Sequence, residues 1–131
     1  MPIQVVRLGT PRLEGEGIRI GTVRRPPRGV KKTDYAAQDW YDVWLPDIAP
    51  SPELMKQGQA VQTDAQWTAF AKKYRRELAA PEKTRALQLL AAFSANSDFS
   101  IGCYCEDRSR CHIAVLSEVL AELGAVFKDD A

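Results

Sequence analysis

Sulfur and imidazole are scarce in this chain of 131 residues, which has three cysteines, two methionines and one histidine. So few cysteines, and an odd number of them, argue against a disulfide framework. Long apolar runs are missing too, since no stretch approaches the roughly 20 residues of a membrane span. The opening residues MPIQVVRLGT have no charged start followed by an apolar run, so we expect no signal peptide. These absences predict a cytoplasmic protein with reduced thiols and no membrane partner.

A strong net charge is also absent. Eighteen Lys and Arg face 17 Asp and Glu, which gives a formal net charge of +1. Proteins that bind nucleic acid or membrane surfaces in general normally carry a basic excess, so the composition disfavours both classes while leaving local basic clusters open. The length is typical of one domain that needs no disulfide or metal to fold. We predict a single domain over 1–131, ending in a polar tail at 128–131.

Apolar patterning predicts strands that alternate with helices. Short apolar segments at 3–8, 18–23, 41–45 and 99–105 indicate strands, and we expect 41–45 to be a central one. Capping residues and steps of three and four indicate helices that begin near 52, 64, 81 and 109–111. This order predicts an α/β fold, with a small mainly parallel sheet and helices packed on it.

Two unusual loops directly follow predicted strands. RRPPRGVKK, residues 24–32 and called the basic loop below, follows 18–23, and EDRSRCH at 106–112 follows 99–105. Ligands of parallel sheets bind at the carboxyl ends of the strands. If the two strands are neighbours, both loops lie at one edge and form one site.

The basic loop suits an anion. Its prolines restrict the backbone, and arginine side chains form paired hydrogen bonds to phosphate or carboxylate. We expect the ligand-binding residues to be Arg24, Arg25, Arg28, Asp47 and Arg110. The ligand would be a small anion, a nucleotide or the end of a nucleic acid. The alternative is a solvated, charged connection between two elements.

All three cysteines and the one histidine lie within CYCEDRSRCH, residues 103–112. A thiolate at a strand end or helix start is favoured by nearby positive charge, and histidine exchanges protons near neutral pH. The catalytic candidates are Cys105, Glu106, Cys111 and His112. The alternative is that Cys103 and Cys105 are small core residues on the inner face of the strand.

A metal is the second hypothesis for this segment. Cys103, Cys105, Cys111 and His112 supply four ligands, the number that tetrahedral zinc requires. Their spacing is not a common one for zinc, and adjacent residues at a helix start usually point apart. We therefore expect no cofactor, with zinc as the alternative.

Three segments in this order carry a family resemblance: VRRPPRGVKK, YDVWLPDIAPSPEL and CYCEDRSRCH. Over residues 18–124 the chain resembles the bacterial and archaeal family called domain of unknown function 488. The family's last motif reads Cys-x-Glu, a short gap and Cys-His-Arg, so Cys103 matches its first cysteine, and Cys111 with His112 match its Cys-His pair. Cys105 stands where Glu is usual and Ile113 where Arg is usual. The resemblance implies a compact α/β fold and a site, but no established reaction.

Three functions follow as hypotheses. The leading one is an anion-binding cleft formed by both loops, in a protein that acts as a thiol- or histidine-assisted enzyme. The second is a non-enzymatic module that binds nucleic acid or another protein through the basic loop. The third is a redox or metal sensor that uses the cysteines. Neither the reaction nor the oligomeric state follows from the sequence.

Overall fold

The computed structural model describes residues 2–105 and 110–128. Within them the strands are β1 (Ile3–Arg7), β2 (Ile18–Gly21), β3 (Val43–Trp44) and β4 (Phe99–Cys103). The helices are α1 (Pro52–Gln59), α2 (Asp64–Leu78), α3 (Pro81–Ser94) and α4 (His112–Glu122). The sheet is wholly parallel and has the order β1-β4-β2-β3. The predicted α/β class is confirmed.

Strand β4 is the buried centre of the sheet. All five of its residues are buried, and Ile101 pairs with Val5 of β1 on one side and Ile20 of β2 on the other. A parallel strand covered on both faces has this continuous apolar character. The last residue of β4 is Cys103, so the fold places this thiol in the core at the carboxyl edge.

The expectation of a central strand over 41–45 is wrong. Only Val43 and Trp44 form β3, and this strand lies at the edge of the sheet. Pro46 has no N–H for further pairing and begins a 3-10 turn, Pro46–Ile48. Tyr41 is buried instead by packing on β2, where a Cβ at Gly21 would lie 2.3 Å from its ring.

Two further expectations need correction. Strand β4 stops at Cys103, so the alternation expected over 99–105 does not extend to Cys105, which is exposed. The steps of three and four that predict α4 also predict a buried Leu123, but this residue is 38% exposed, because the helix ends at Glu122. Gly124, with φ of +95°, takes the left-handed conformation that commonly terminates a helix.

The starts of α1 and α2 follow the predicted capping chemistry. Ser51 Oγ accepts a hydrogen bond from Leu54 N at 3.3 Å at the start of α1. At the start of α2, Thr63 and Gln66 exchange side-chain and backbone hydrogen bonds as a capping box. Within the described residues, each helix is too short or too polar to cross a membrane.

A buried ion pair holds the connection between β1 and β2, and the sequence patterns did not predict it. Arg19 Nε lies 2.7 Å from Glu16 Oε2, and both side chains are buried. The Arg19 guanidinium also donates to the carbonyls of Thr10 and Asp39. Ser100 Oγ donates to the same Glu16 oxygen at 2.6 Å, which ties the connection to β4.

Candidate functional site

The carboxyl ends of β2 and β4 lie side by side. The two strands pair in parallel, with Gly21 opposite Gly102, as required for their loops to meet. Just past β2, Thr22 donates both its N–H and its hydroxyl to the Gly102 carbonyl, at 3.0 and 2.9 Å. The basic loop and the cysteine segment therefore leave the sheet at one edge.

A cavity of about 880 Å³, called the cleft below, opens at this edge. Its walls come from the basic loop, one face of α1, the end of β4 and the first residue of α4. The lining residues are Val23, Arg24, Arg25, Pro26, Pro27, Arg28, Trp40, Pro52, Met55, Lys56, Gln59, Cys103, Tyr104, Cys105 and His112. The basic loop and described residues of the segment 103–112 thus line one space.

Helix α1 contributes a continuous face to the cleft. Pro52, Met55, Lys56 and Gln59 are spaced by three, one and three residues, which places them on one side of a helix. Lys56 is exposed there. The sequence analysis did not select this face, although the same spacing rule was available to find it.

The basic loop is fastened to the start of α1 by its first arginine. Arg24 donates from Nε to the Pro50 carbonyl at 3.0 Å and from Nη2 to the Ala49 carbonyl at 3.1 Å. Arg25 and Arg28 are exposed and line the cleft. Arg24 therefore positions the loop, and Arg25 and Arg28 place exposed positive charge in the lining of the cleft.

Positive charge dominates the described wall of the cleft. The cationic lining residues are Arg24, Arg25, Arg28 and Lys56, and no carboxylate lies among the described lining residues. Like charges around a concave surface reinforce one another's field and attract counter-ions. The cleft is therefore suited to an anion, even though the net charge of the whole chain is only +1.

The three thiols form a compact group, called the sulfur cluster below. The Sγ atoms of Cys103, Cys105 and Cys111 all lie within 4.8 Å of one another. Cys111 Sγ is 3.0 Å from Cys103 Sγ, and both of these side chains are buried, whereas Cys105 is exposed. A catalytic role for Cys111 predicts a solvent-accessible thiol, but this side chain is buried in the core at the start of α4.

The thiols of the cluster differ sharply in acidity. Hydrogen bonds from Cys103 and from Cys111 lower the pKa of Cys105 to about 3, against the opposing effect of burial. The positive charge of Arg7 acts in the same direction. The hydrogen bond between Cys103 and Cys105 raises the pKa of Cys103 to about 11. Hydrogen bonds to Cys103 and Cys105 also raise the pKa of Cys111. The thiolate of the cluster is therefore Cys105.

His112 is a buried, neutral histidine. Its Nε2 lies 2.7 Å from the Thr22 carbonyl, which can only accept, so Nε2 carries the proton. The other nitrogen, Nδ1, lies 3.7 Å from Cys111 Sγ. Burial lowers the pKa of His112, although the bond to Thr22 opposes it. His112 thus positions the loop after β2 and leaves Nδ1 as an acceptor beside the cluster.

Similarity to known proteins identifies the family. Residues 3–124 match a family model described as the active DUF488-N3 subclade. The chain is also 32% identical over 123 residues to the uncharacterized protein YeaO of Escherichia coli (strain K12), a match that covers 94% of this chain and 100% of YeaO. This chain belongs to the DUF488 family. No solved structure matches it.

The two departures from the DUF488 motif have different surroundings. Ile113, where Arg is usual, is fully buried in the apolar core, so no charge could be accommodated there without a partner. Cys105, where Glu is usual, is exposed and lines the cleft. A glutamate at this position would carry a negative charge, and so does Cys105, because its pKa is low.

Four predicted site residues are not part of the described cleft, and one of them is the buried Cys111. Asp47 is exposed on the 3-10 turn after β3, where its carbonyl accepts from Lys83 Nζ at 2.9 Å. Arg110 forms an ion pair with Asp64 at the start of α2. Neither is a lining residue, and Glu106 lies outside the described residues. Lys56, Met55 and Tyr104 line the cleft and were not selected from the sequence.

Proposed function

We propose that this DUF488 protein binds a small phosphate- or carboxylate-bearing molecule in the cleft and acts on it through Cys105. The observation that carries the proposal is the position of this exposed thiol in a cavity lined by four cationic side chains. Two buried thiols lie within 4.8 Å of it and stabilise its charged form. A cytoplasmic location, where such thiols stay reduced, is part of the proposal.

The chemistry that follows is nucleophilic catalysis. The Cys105 thiolate attacks an electrophilic carbon or phosphorus of the bound anion. A new bond to sulfur forms while the bond to the leaving group breaks and its electron pair departs with that group. Water then attacks the same carbon or phosphorus, its oxygen forms the new bond, the sulfur leaves as the thiolate, and the proton of the water passes to the solvent. The arginines hold the anion in place and offset its charge as the negatively charged sulfur approaches.

Alkylation of the native protein by iodoacetamide, followed by mass spectrometry, tests the role of Cys105. We expect Cys105 to be labelled well before the two buried thiols, because it is the exposed one and carries the thiolate. Its rate should change little between pH 5 and 8, whereas an ordinary thiol with a pKa of about 8.5 slows about tenfold per pH unit over this range. A rate that falls tenfold per unit would contradict the thiolate assignment.

The same reaction tests the anion. Inorganic phosphate at saturating concentration should slow the alkylation of Cys105 severalfold, because the occupied cleft hinders the reagent. Arg28→Ala should lose this protection, whereas Arg76→Ala, which removes an exposed arginine of α2 outside the cleft lining, should keep it. If phosphate protects neither the wild type nor the control variant, the anion-binding role is wrong.

A second candidate is a bound zinc ion, favoured by the sulfur cluster itself. Three sulfurs within 4.8 Å of one another fit an ion that bonds thiolates at about 2.3 Å. Cys103, Cys105 and Cys111 would hold the ion and leave a fourth position for water or substrate, as in catalytic zinc sites. His112, the fourth ligand expected from the sequence, has its Nε2 engaged by the Thr22 carbonyl.

Metal content distinguishes the two candidates. The protein should be purified under reducing conditions without a metal-affinity step and analysed by inductively coupled plasma mass spectrometry. A content of about one zinc per chain that is lost in Cys105→Ser would establish the metal site and rule out Cys105 as a free nucleophile. Near zero in the wild type, with Cys105 freely alkylated, would leave the thiolate proposal standing and eliminate the resident metal.

A further inference from the structure

The cleft has an apolar wall as well as a cationic one. Its apolar lining residues are Val23, Pro26, Pro27, Trp40, Pro52, Met55 and Tyr104, interspersed with the arginines and Lys56. A small hydrated ion would not cover this surface, so the apolar side chains would stay in contact with water. Ligand sites with this composition bind molecules that carry both a charged group and an apolar body.

Two aromatic rings of this wall are held in a fixed arrangement. The rings of Trp40 and Tyr104 meet edge to face, with centroids 6.0 Å apart and planes at 71°. Tyr104 is anchored through its hydroxyl, which donates to the Arg25 carbonyl at 2.8 Å. Trp40 lies against Gly9, where an added Cβ would come within 2.8 Å of the indole. The rings are thus positioned before any ligand arrives.

The link between Tyr104 and Arg25 joins the two walls. Because the tyrosine hydroxyl bonds the backbone of the basic loop, the aromatic face and the cationic side chains lie on connected segments. Cys105 directly follows Tyr104 and also lines the cleft. A ligand whose ring lies on the aromatic wall would therefore bring its charged group towards both the arginines and the thiol.

The size of the cleft agrees with a ligand larger than a bare anion. Small-molecule sites typically enclose roughly 300–1,000 Å³, and this cavity has about 880 Å³. A phosphate ion would leave most of that space and the whole apolar wall in water. A molecule with a flat ring system and one phosphate would fill more of it.

We infer that the ligand is an anion that carries a flat ring system, of the class of a nucleoside phosphate. Its ring contacts the wall formed by Trp40 and Tyr104, and its phosphate faces Arg25, Arg28 and Lys56. The inference rests on the proposed anion-binding function and specifies the ligand class for the same site. Stacking of a base on an aromatic side chain provides affinity even without hydrogen bonds to the edge of the base.

Isothermal titration calorimetry with four probes tests the inference on the wild-type protein: inorganic phosphate, glycerol 3-phosphate, adenosine 5′-monophosphate and adenosine. We expect the nucleotide to bind about tenfold tighter than glycerol 3-phosphate, since stacking of one base is worth a factor of this order. Adenosine should bind more weakly than the nucleotide because it lacks the charge.

Variants locate the ring. Trp40→Leu should remove most of the preference for the nucleotide over glycerol 3-phosphate, while Trp67→Leu on α2, outside the cleft lining, should preserve it. Met55→Ser, at a half-buried position of α1, provides a second change to the apolar wall should Trp40→Leu fail to fold. It should also reduce the preference.

The outcomes separate this inference from the function on which it rests. Equal affinity for the three phosphates would overturn the flat-ring ligand and leave the anion site intact. Binding of none of them would overturn both. Adenosine that binds as tightly as its monophosphate would overturn the anion site, and with it the anionic ligand, while leaving the aromatic wall as a site for the ring. A 5′-phosphorylated trinucleotide is the fifth probe. If it binds more tightly than the mononucleotide, the ligand is the end of a nucleic acid; if it binds more weakly, the ligand is a free nucleotide.

Discussion

At the scale of single residues, Glu16 and Arg19 form an ion pair in which both charged side chains are buried. Burial alone would raise the pKa of Glu16, but hydrogen bonds from Arg19, the Leu13 amide and Ser100 outweigh it and lower that pKa to about 2. The carboxylate is therefore charged at neutral pH and satisfied on every side. A buried charge is tolerated only when it is paired and hydrogen-bonded in this way.

Glu16→Gln should lower the free energy of unfolding at pH 7 by about 3–5 kcal/mol, because removal of one partner leaves the buried Arg19 charge uncompensated. Urea unfolding monitored by circular dichroism measures the loss. Glu14→Gln changes an exposed carboxylate of the same connection and should have little effect. Equal losses in the two variants would mean that the ion pair does not stabilise the fold.

The stabilisation from Glu16 should also depend on pH. The folded pKa of about 2 lies below the reference value of 4.5, so the contribution is complete above pH 4.5 and is lost as pH falls towards 2. The difference in unfolding free energy between wild type and Glu16→Gln should therefore narrow between pH 5 and 3. A constant difference over this range would contradict the assignment of the low pKa to Glu16.

At the scale of elements, the connection between β1 and β2 offers a matched pair of glycines. Gly15 and Gly17 have nearly the same positive φ, +71° and +72°, a region that other residues rarely adopt. They differ in their surroundings. A Cβ on Gly15 would meet nothing within 4 Å, whereas one on Gly17 would lie 2.1 Å from the carbonyl oxygen of Asp98, just before β4.

Gly15→Ala should lower the free energy of unfolding by about 1–2 kcal/mol, the cost of the left-handed conformation. Gly17→Ala carries the same cost together with the clash against a backbone oxygen, so its loss should be larger by about 1–3 kcal/mol. Chemical unfolding of both variants under one set of conditions measures the difference. Similar losses would show that the approach of Gly17 to the strand is not tight.

At the scale of the whole molecule, the near-neutral net charge conceals an uneven distribution. Away from the cleft, several cations are paired: Arg75 contacts Glu118 and Glu122, and Arg12 contacts Asp42. Around the cleft, the described lining has four cations and no carboxylate. The fold therefore concentrates positive potential at one edge of the sheet, which a sum over the sequence cannot reveal.

Lys56→Gln should weaken phosphate binding about two- to fivefold at low ionic strength, because an exposed charge near a site contributes modestly and is screened by salt. Lys72→Gln removes an exposed lysine of α2 outside the cleft lining and should leave the affinity unchanged. Titration calorimetry at 20 mM and 500 mM salt should show the difference shrinking at high salt. A Lys56 effect no larger than that of Lys72 would exclude α1 from the anion site.

The contrast between Asp47 and Lys56 shows where prediction from sequence ended for the site. Asp47 was selected because it follows a predicted strand, but that strand is a two-residue edge pair, and Asp47 lies outside the cleft lining. Lys56 lies on a helix whose start was correctly predicted, yet which face of the helix points to the cleft depends on tertiary packing. Cys111, a catalytic candidate, is buried for the same kind of reason, whereas Cys105 is exposed as its candidate role requires.

By itself, the sequence determined the α/β class, the starts of α1 and α2 at capping residues and the position of the two unusual loops after strands. These features depend on short-range periodicity, capping chemistry and the parallel-sheet rule, all of which are local. Only the tertiary structure decided the strand order, the buried ion pair of Arg19 and Glu16, the acidity of Cys105 and the aromatic wall of the cleft. Each of these depends on groups far apart in the chain, so their distances and burial are set only when the sheet and helices pack together.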